Sequence, residues 1–224
     1  STAGNTDKRA LYLAECRHMG IEVQRPDVNL SYGPFTADEQ GVRFGLSSIR
    51  NVGVNVVDGI VKARQEKGDF TSFQDFLDKV PEVVCNKRTM QSLIRAGAFD
   101  GFGHSRRALS VRSDDAVDSV LGLKRNEASG QYDLFAGLGG VDSPSSFSID
   151  IPNFPDWDRR EKLALEREML GLYVSDHPLR GGERALARHQ DIQIGAIKED
   201  PQRFDNKRVK IAGLVTKLDT KINR

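Results

Sequence analysis

Residues 46–64, Leu46-Ser47-Ser48-Ile49-Arg50-Asn51-Val52-Gly53-Val54-Asn55-Val56-Val57-Asp58-Gly59-Ile60-Val61-Lys62-Ala63-Arg64, decide how this chain is read. Leu46 and Ile49 lead into a turn at Asn51-Val52-Gly53, and Val56, Val57, Ile60 and Val61 then share one face of a second helix. Gly53 permits a tight turn that a β-branched residue would not make. The first amides of that second helix lack intrahelical partners and point outward, where a phosphate oxygen can accept them. In that reading Val52 anchors the turn in the core, and Arg50 and Asn51 face a nucleic-acid backbone. A plain αα-hairpin with a glycine turn explains the same spacing, so the residues alone leave both open.

Outward from this stretch the pattern is mainly helical. Towards the N-terminus, Thr6 is placed to cap a helix through KRALYLAECRHM that stops at Gly20; IEVQRPDVNLS is extended and GVRFGL a short strand. Towards the C-terminus, Ser72 and Asp75 make a capping pattern, and Phe73, Phe76, Leu77 and Val80 are the apolar face of a helix that Pro81 ends. Asn86 caps the next helix, with Met90, Leu93 and Ile94 buried and Gly97 as its stop. A further helix from Ser105 carries Ala116, Val117, Val120 and Leu121 and fades between Gly122 and Gly130. Residues 136–155 read as a linker, a helix follows Asp156, RALARHQ is helical, and residues 208–215 resemble a β-strand.

Composition narrows the function. Of 224 residues, 38% are apolar and 29% charged, and no run approaches the roughly 20 apolar residues of a membrane helix. Cys16 and Cys85 have no CxxC or His partner, which suggests free thiols in a reducing cytoplasm. The net charge of +1 is unevenly spread: residues 43–112 hold 12 Lys+Arg against 7 Asp+Glu, residues 113–172 hold 6 against 12, and residues 173–224 hold 11 against 7. Such blocks suggest separate surfaces, two of which suit a polyanion, but charge alone favours plain solvated surface. Asp114-Asp115 and Asp38-Glu39 lack convergent partners for a metal, and His18, His104, His177 and His189 have no nucleophile or second base in pattern. Gln131-Tyr132-Asp133-Leu134-Phe135 is an apolar cluster between glycines, either a strand stub packed on its own domain or a peptide offered to a partner.

Four strings carry a resemblance that runs along nearly the whole chain: ECRHMGIEVQRPDVNLS, FGLSSIRNVG, CNKRTMQSLIRAGAFDGFG and ALEREMLGLYVSDHPL, with RVKIAGLVTKL after them. Together they resemble the central part of the α subunits of bacterial replicative DNA polymerase III (the DnaE type), from an actinobacterial source. The resemblance implies the end of the fingers region at 1–42, a helix-hairpin-helix DNA-binding domain at 43–130 and a clamp-binding peptide at 131–135. It implies a linker at 136–155, a helical connector at 156–200 and the truncated first strand of an OB domain at 201–224. The fold class expected is mainly α, a tandem helix-hairpin-helix-like domain with short extended segments and an incomplete C-terminal β start.

Function follows as expectation. The family performs two-metal phosphoryl transfer with Mg²⁺ held by palm carboxylates, which the resemblance places upstream of residue 1. No Asp-x-Asp lies on an apolar strand here, so the chain is expected to be inactive alone, with no catalytic residues, metal or cofactor of its own. Arg50, Asn51, Val52, Gly53 and Val54 would bind double-stranded DNA. Gln131, Asp133, Leu134 and Phe135 match the family's Gln-x-(Ser/Asp)-Leu-Phe peptide and would bind the β sliding clamp, Leu134 and Phe135 filling an apolar pocket. Partners would be duplex DNA, the clamp and the rest of the polymerase III holoenzyme, in the cytoplasm and without a membrane. The alternatives are a helix-hairpin-helix DNA repair enzyme and a free-standing DNA-binding adaptor. The first is disfavoured because Val54 and Asn55 follow Gly53 where a glycosylase carries its catalytic Lys, and the second because the chain is expected to begin and end within domains.

Overall fold

The computed structural model describes residues 11–128, 148–215 and 220, apart from residues 14, 17 and 154. It divides into two compact units, Ser1–Ser175 and Asp176–Arg224.

The first unit is helical with a small sheet. Described residues between 11 and 18 are helical, and Gly20 ends that helix at φ 76°; Thr6, the expected cap, lies outside the described residues. Strands β1 (Val23–Gln24), β2 (Thr36–Asp38) and β3 (Gly41–Arg43) lie in the order β1-β3-β2, with β3 parallel to β1 and antiparallel to β2. Asp38 accepts the Gln40 amide at 2.9 Å across the β2–β3 turn, so Asp38-Glu39 is turn chemistry. Of the segment expected to be extended before Ser31, only β1 is a strand. Asp27–Ser31 is a turn (Ser31 N to Asp27 O, 2.8 Å), because side chains hold it on the helices. Buried Arg64 donates to the Val28 and Ser31 carbonyls, and Asn29 exchanges two 2.8 Å hydrogen bonds with the backbone of Phe70.

The helices of this unit are α1 (Val54–Lys67), α2 (Phe73–Lys79), α3 (Lys87–Ala96), α4 (Arg106–Ala128) and α5 (Arg159–Leu170). Their caps are those the sequence suggests: Ser72 Oγ accepts the Asp75 amide, Asn86 Oδ1 accepts that of Thr89, and Gly97 stops α3 at φ 85°. The core between them is aromatic at its centre. Phe70, Phe73, Phe76 and Phe99 meet edge to face at 4.9–5.2 Å, and Met90, Leu93 and Ile94 are fully buried beside them.

Helix α4 runs through Gly122 and is described to Ala128, within the interval 122–130 where the sequence suggests its end, and Lys124 donates to the Asp78 and Val80 carbonyls at the end of α2. The break between units falls at Ser175, inside the segment expected as a single connector, and α5 belongs to the first unit. Leu163, Met169 and Leu170 are buried, and so is Glu166, whose carboxylate accepts from Arg106 (3.3 Å) and from the Val174 and Ser175 amides (2.7 and 2.8 Å). Before α5, Ile149 N donates to Gln74 Oε1 at 2.8 Å, returning the chain to α2 after residues 129–147.

In the second unit, α6 (Glu183–His189) and α7 (Ile194–Glu199) precede a 3₁₀ turn at Gln202–Phe204. Residues 208–215 are not a strand: Lys210 pairs with Asp191, its carbonyl accepting the Asp191 amide, and a strand exists only through a neighbouring strand.

Arg106 and Glu166 are 2% and 0% exposed, and deleting Arg106 leaves the Glu166 carboxylate buried without its cation, whereas deleting Glu166 leaves Arg106 paired with Asp100. Arg106→Ala is expected to cost about 3–5 kcal/mol in urea unfolding. Arg25→Ala, which removes a half-exposed partner of Asp100, is expected to cost less than about 1 kcal/mol.

Candidate nucleic-acid interface

The turn before α1 is built differently from its sequence reading. Its first helix is a single 3₁₀ turn, Leu46–Ser48, capped by Gly45 without a side-chain bond. Ile49 is extended (φ −80°, ψ 133°), and a β-turn follows that is closed by Val52 N to Ile49 O at 3.2 Å. The left-handed residue of that turn is Asn51, at φ 64°, and not Gly53. Asn is one of the few side chains that tolerates this conformation, and its Nδ2 donates to Ser92 Oγ on α3 at 3.2 Å. Gly53 is the N-cap of α1 at φ −79°, ψ 161°, a conformation open to any residue, and a Cβ built there would meet nothing within 4 Å.

The predicted residues thus divide by role. Val52 is buried and fixes the turn in the core. Gly53 and Val54 form an open edge, with the Val54 side chain 65% exposed. Arg50 projects outward, its backbone amide held by the Met169 carbonyl at 2.9 Å and its guanidinium 3.8 Å from Glu168. Asn51 presents backbone at the surface, while its side chain and carbonyl bind Ser92 and Thr89 of α3.

The start of α1 lacks what the other helices of the unit have. Ser72 caps α2, Asn86 caps α3, Ser105 accepts the Ala108 amide at the start of α4, and Asp158 accepts the Glu161 amide on α5. Gly53 offers no side-chain acceptor, and no acidic residue lies in the first turn of α1. The amides of Val54 and Asn55, its first two positions, therefore have no intrahelical acceptor, and the positive end of the helix dipole is not neutralised from within.

The basic block 43–112 and the acidic block 113–172 do not form separate surfaces. Lys87 of the basic block binds Asp118 of the acidic one at 2.6 Å, Arg106 binds Glu166, and Arg50 faces Glu168, because α4 and α5 pack on the helices that carry the basic residues. Lys87 stays protonated above its ordinary range through its hydrogen bond to Asp118, and Arg106 likewise, where Asp100 and Glu166 outweigh a burial that favours the neutral form. The chain's one Asp-x-Asp, Asp156-Trp157-Asp158, is structural. Asp158 caps α5, and Asp156 accepts from Lys162 (2.6 Å) and the Arg107 and Trp157 amides. Burial raises the Asp156 carboxyl, but these bonds outweigh it and leave it below the usual carboxylate value. Asp114 and Asp115 are exposed, in contact with Gln91 and Arg112. His18, His104, His177 and His189 are exposed. Gln131, Asp133, Leu134 and Phe135 lie outside the described residues.

The residues missed by sequence reasoning are Glu166, Glu168 and Met169. They lie about 115 residues beyond the turn they support, and their only signal was the heptad spacing of Leu163 and Leu170 on the same helix.

Asn51→Gly is expected to leave the unfolding midpoint nearly unchanged, whereas Asn51→Val forces a β-branched residue to φ 64° and costs about 1–2 kcal/mol. Gly53→Ala should be neutral in the same thermal melts.

Comparison with known proteins matches residues 20–109 to the helix-hairpin-helix motif family, a span from before β1 to the first turn of α4. The whole chain is 50% identical to DNA polymerase III subunit alpha of Saccharopolyspora erythraea and 46% identical to that of Mycobacterium tuberculosis, and covers 19% of each. At 35% identity, 85% of the chain matches 16% of the Borreliella burgdorferi subunit. The chain spans about a fifth of the length of the curated relatives it matches. Identity of 46–50% from end to end, with a helix-hairpin-helix match inside it, places these 224 residues in the DNA polymerase III alpha-subunit family.

Proposed function

We propose that this segment holds duplex DNA by its backbone at the turn before α1 and tethers a replicative polymerase to the β sliding clamp through Gln131, Asp133, Leu134 and Phe135. The observation that carries the first part is the bare start of α1. Its amides are uncapped, Gly53 leaves open space in front of them, and Arg50 stands beside them. A phosphate oxygen accepting those amides replaces the cap that Ser, Asn or Asp supplies to the neighbouring helices. Such contacts read no bases, so they hold DNA of any sequence and weaken with salt.

The clamp contact rests on the sequence pattern and the family. Leu134 and Phe135 would enter an apolar pocket, with Gln131 at its rim and Asp133 shaping the extended peptide. A peptide joined to a DNA-bound polymerase acts at high effective concentration, which turns modest affinity into long residence. Synthesis itself belongs to the whole subunit, with Mg²⁺ on carboxylates outside this chain and the other holoenzyme subunits as partners, in the cytoplasm.

Arg50→Ala is expected to weaken binding of unrelated duplexes about equally and to reduce the salt slope by about one. Gly53→Ala is expected to weaken binding without loss of stability, since its methyl group occupies the phosphate approach. Equal affinity of wild type and both variants at several salt concentrations would refute the hairpin contact. For the clamp, Leu134→Ala with Phe135→Ala is expected to abolish binding to a β sliding clamp in titration calorimetry and to leave the unfolding midpoint unmoved. A marked fall in the midpoint would assign those side chains to the protein's own core.

A further inference from the structure

Arg50 is the predicted DNA contact whose charge is already answered within the chain. Its guanidinium lies 3.8 Å from Glu168 Oε1, and the two side chains are 60% and 48% exposed. The pairing follows from the backbone: the Met169 carbonyl accepts the Arg50 amide at 2.9 Å and fixes the turn against the last residues of α5, one position from Glu168. The C-terminal end of a helix carries partial negative charge, which adds to the attraction for the guanidinium. Lys87 and Arg106 are each engaged by their own acid, so Arg50 is what Glu168 faces.

We infer that Glu168 competes within the molecule against phosphate for the Arg50 guanidinium, so that duplex DNA binds by displacing it. This rests on the reading of the hairpin as a backbone-binding site and adds to it a residue that lies 59 positions beyond the end of the helix-hairpin-helix match at residue 109. The chemistry favours exchange. At 3.8 Å the carboxylate makes a loose, water-accessible ion pair, and such pairs are weak. A phosphate offers Arg a bidentate partner of similar shape and greater charge, backed by the free amides of α1. Without DNA, Glu168 neutralises Arg50, which lowers the attraction of the hairpin for other polyanions.

The test is a double-mutant cycle on the 224-residue chain, with Glu168→Gln, Arg50→Ala and their combination titrated against a fluorescent duplex over a range of salt. Glu168→Gln is expected to tighten binding about two- to five-fold at low ionic strength. That gain should shrink as salt rises and vanish when Arg50 is Ala. Unchanged unfolding midpoints keep the comparison free of folding effects, because both side chains are at the surface. An equal gain with and without Arg50 would mean that Glu168 merely repels DNA at a distance, and would overturn the competition. So would the absence of any gain beside an intact Arg50. If Arg50→Ala binds as well as wild type, the hairpin reading itself fails and the inference falls with it; a loss on Arg50→Ala without coupling to Glu168 overturns the inference alone.

Discussion

The structure of the first unit depends on one buried guanidinium. Arg106 begins α4 and turns back beneath the loop before it, donating to both carboxylate oxygens of Asp100 at 2.8 Å, to the Arg95 carbonyl and to Glu166. Its planar fork fills the space below Gly97, where any Cβ would collide with it. Gly97 is therefore required twice, by its φ of 85° and by the side chain packed against it. A single cation thus fixes the end of α3, the loop to α4 and the middle of α5.

From that point α5 extends to the candidate interface. Glu166 is held by Arg106, and three residues later the Met169 carbonyl holds the Arg50 amide. The helix is a strut between the two hairpins, α3–α4 at one contact and the turn before α1 at the other. The bridge also explains why the basic block 43–112 and the acidic block 113–172 do not become separate faces. Helices α4 and α5 bring their carboxylates to Lys87, Arg106 and Arg50, and leave at the turn a bare helix start and a loosely paired arginine.

Much of this was legible in the sequence where local rules operate. The Ser72 and Asn86 caps, the Gly97 stop and the apolar faces of α2 and α3 depend on residues a few positions apart, and they are where spacing put them. What local spacing cannot carry was misread. Gly53 was the natural choice for the left-handed position, yet Asn51 takes it, because Ser92 and Thr89 from α3 receive its side chain and carbonyl. Residues 208–215 alternate as a strand would, but pairing depends on partners that alternation does not specify. The site was legible in its turn and its arginine, while Glu168 was hidden by its distance along the chain.

The stems of residues 129–147 have a mechanical consequence. Lys124, just before that segment, is bonded to the Asp78 carbonyl, and Ile149, just after it, to Gln74. Gln74 and Asp78 are themselves joined by a hydrogen bond one turn apart on α2. The described residues on either side of the segment are therefore fastened to two neighbouring points of one seven-residue helix. That helix is rooted by Phe73, Phe76 and Leu77, all with no exposed surface, so both flanks of the segment rest on the aromatic core through one short element.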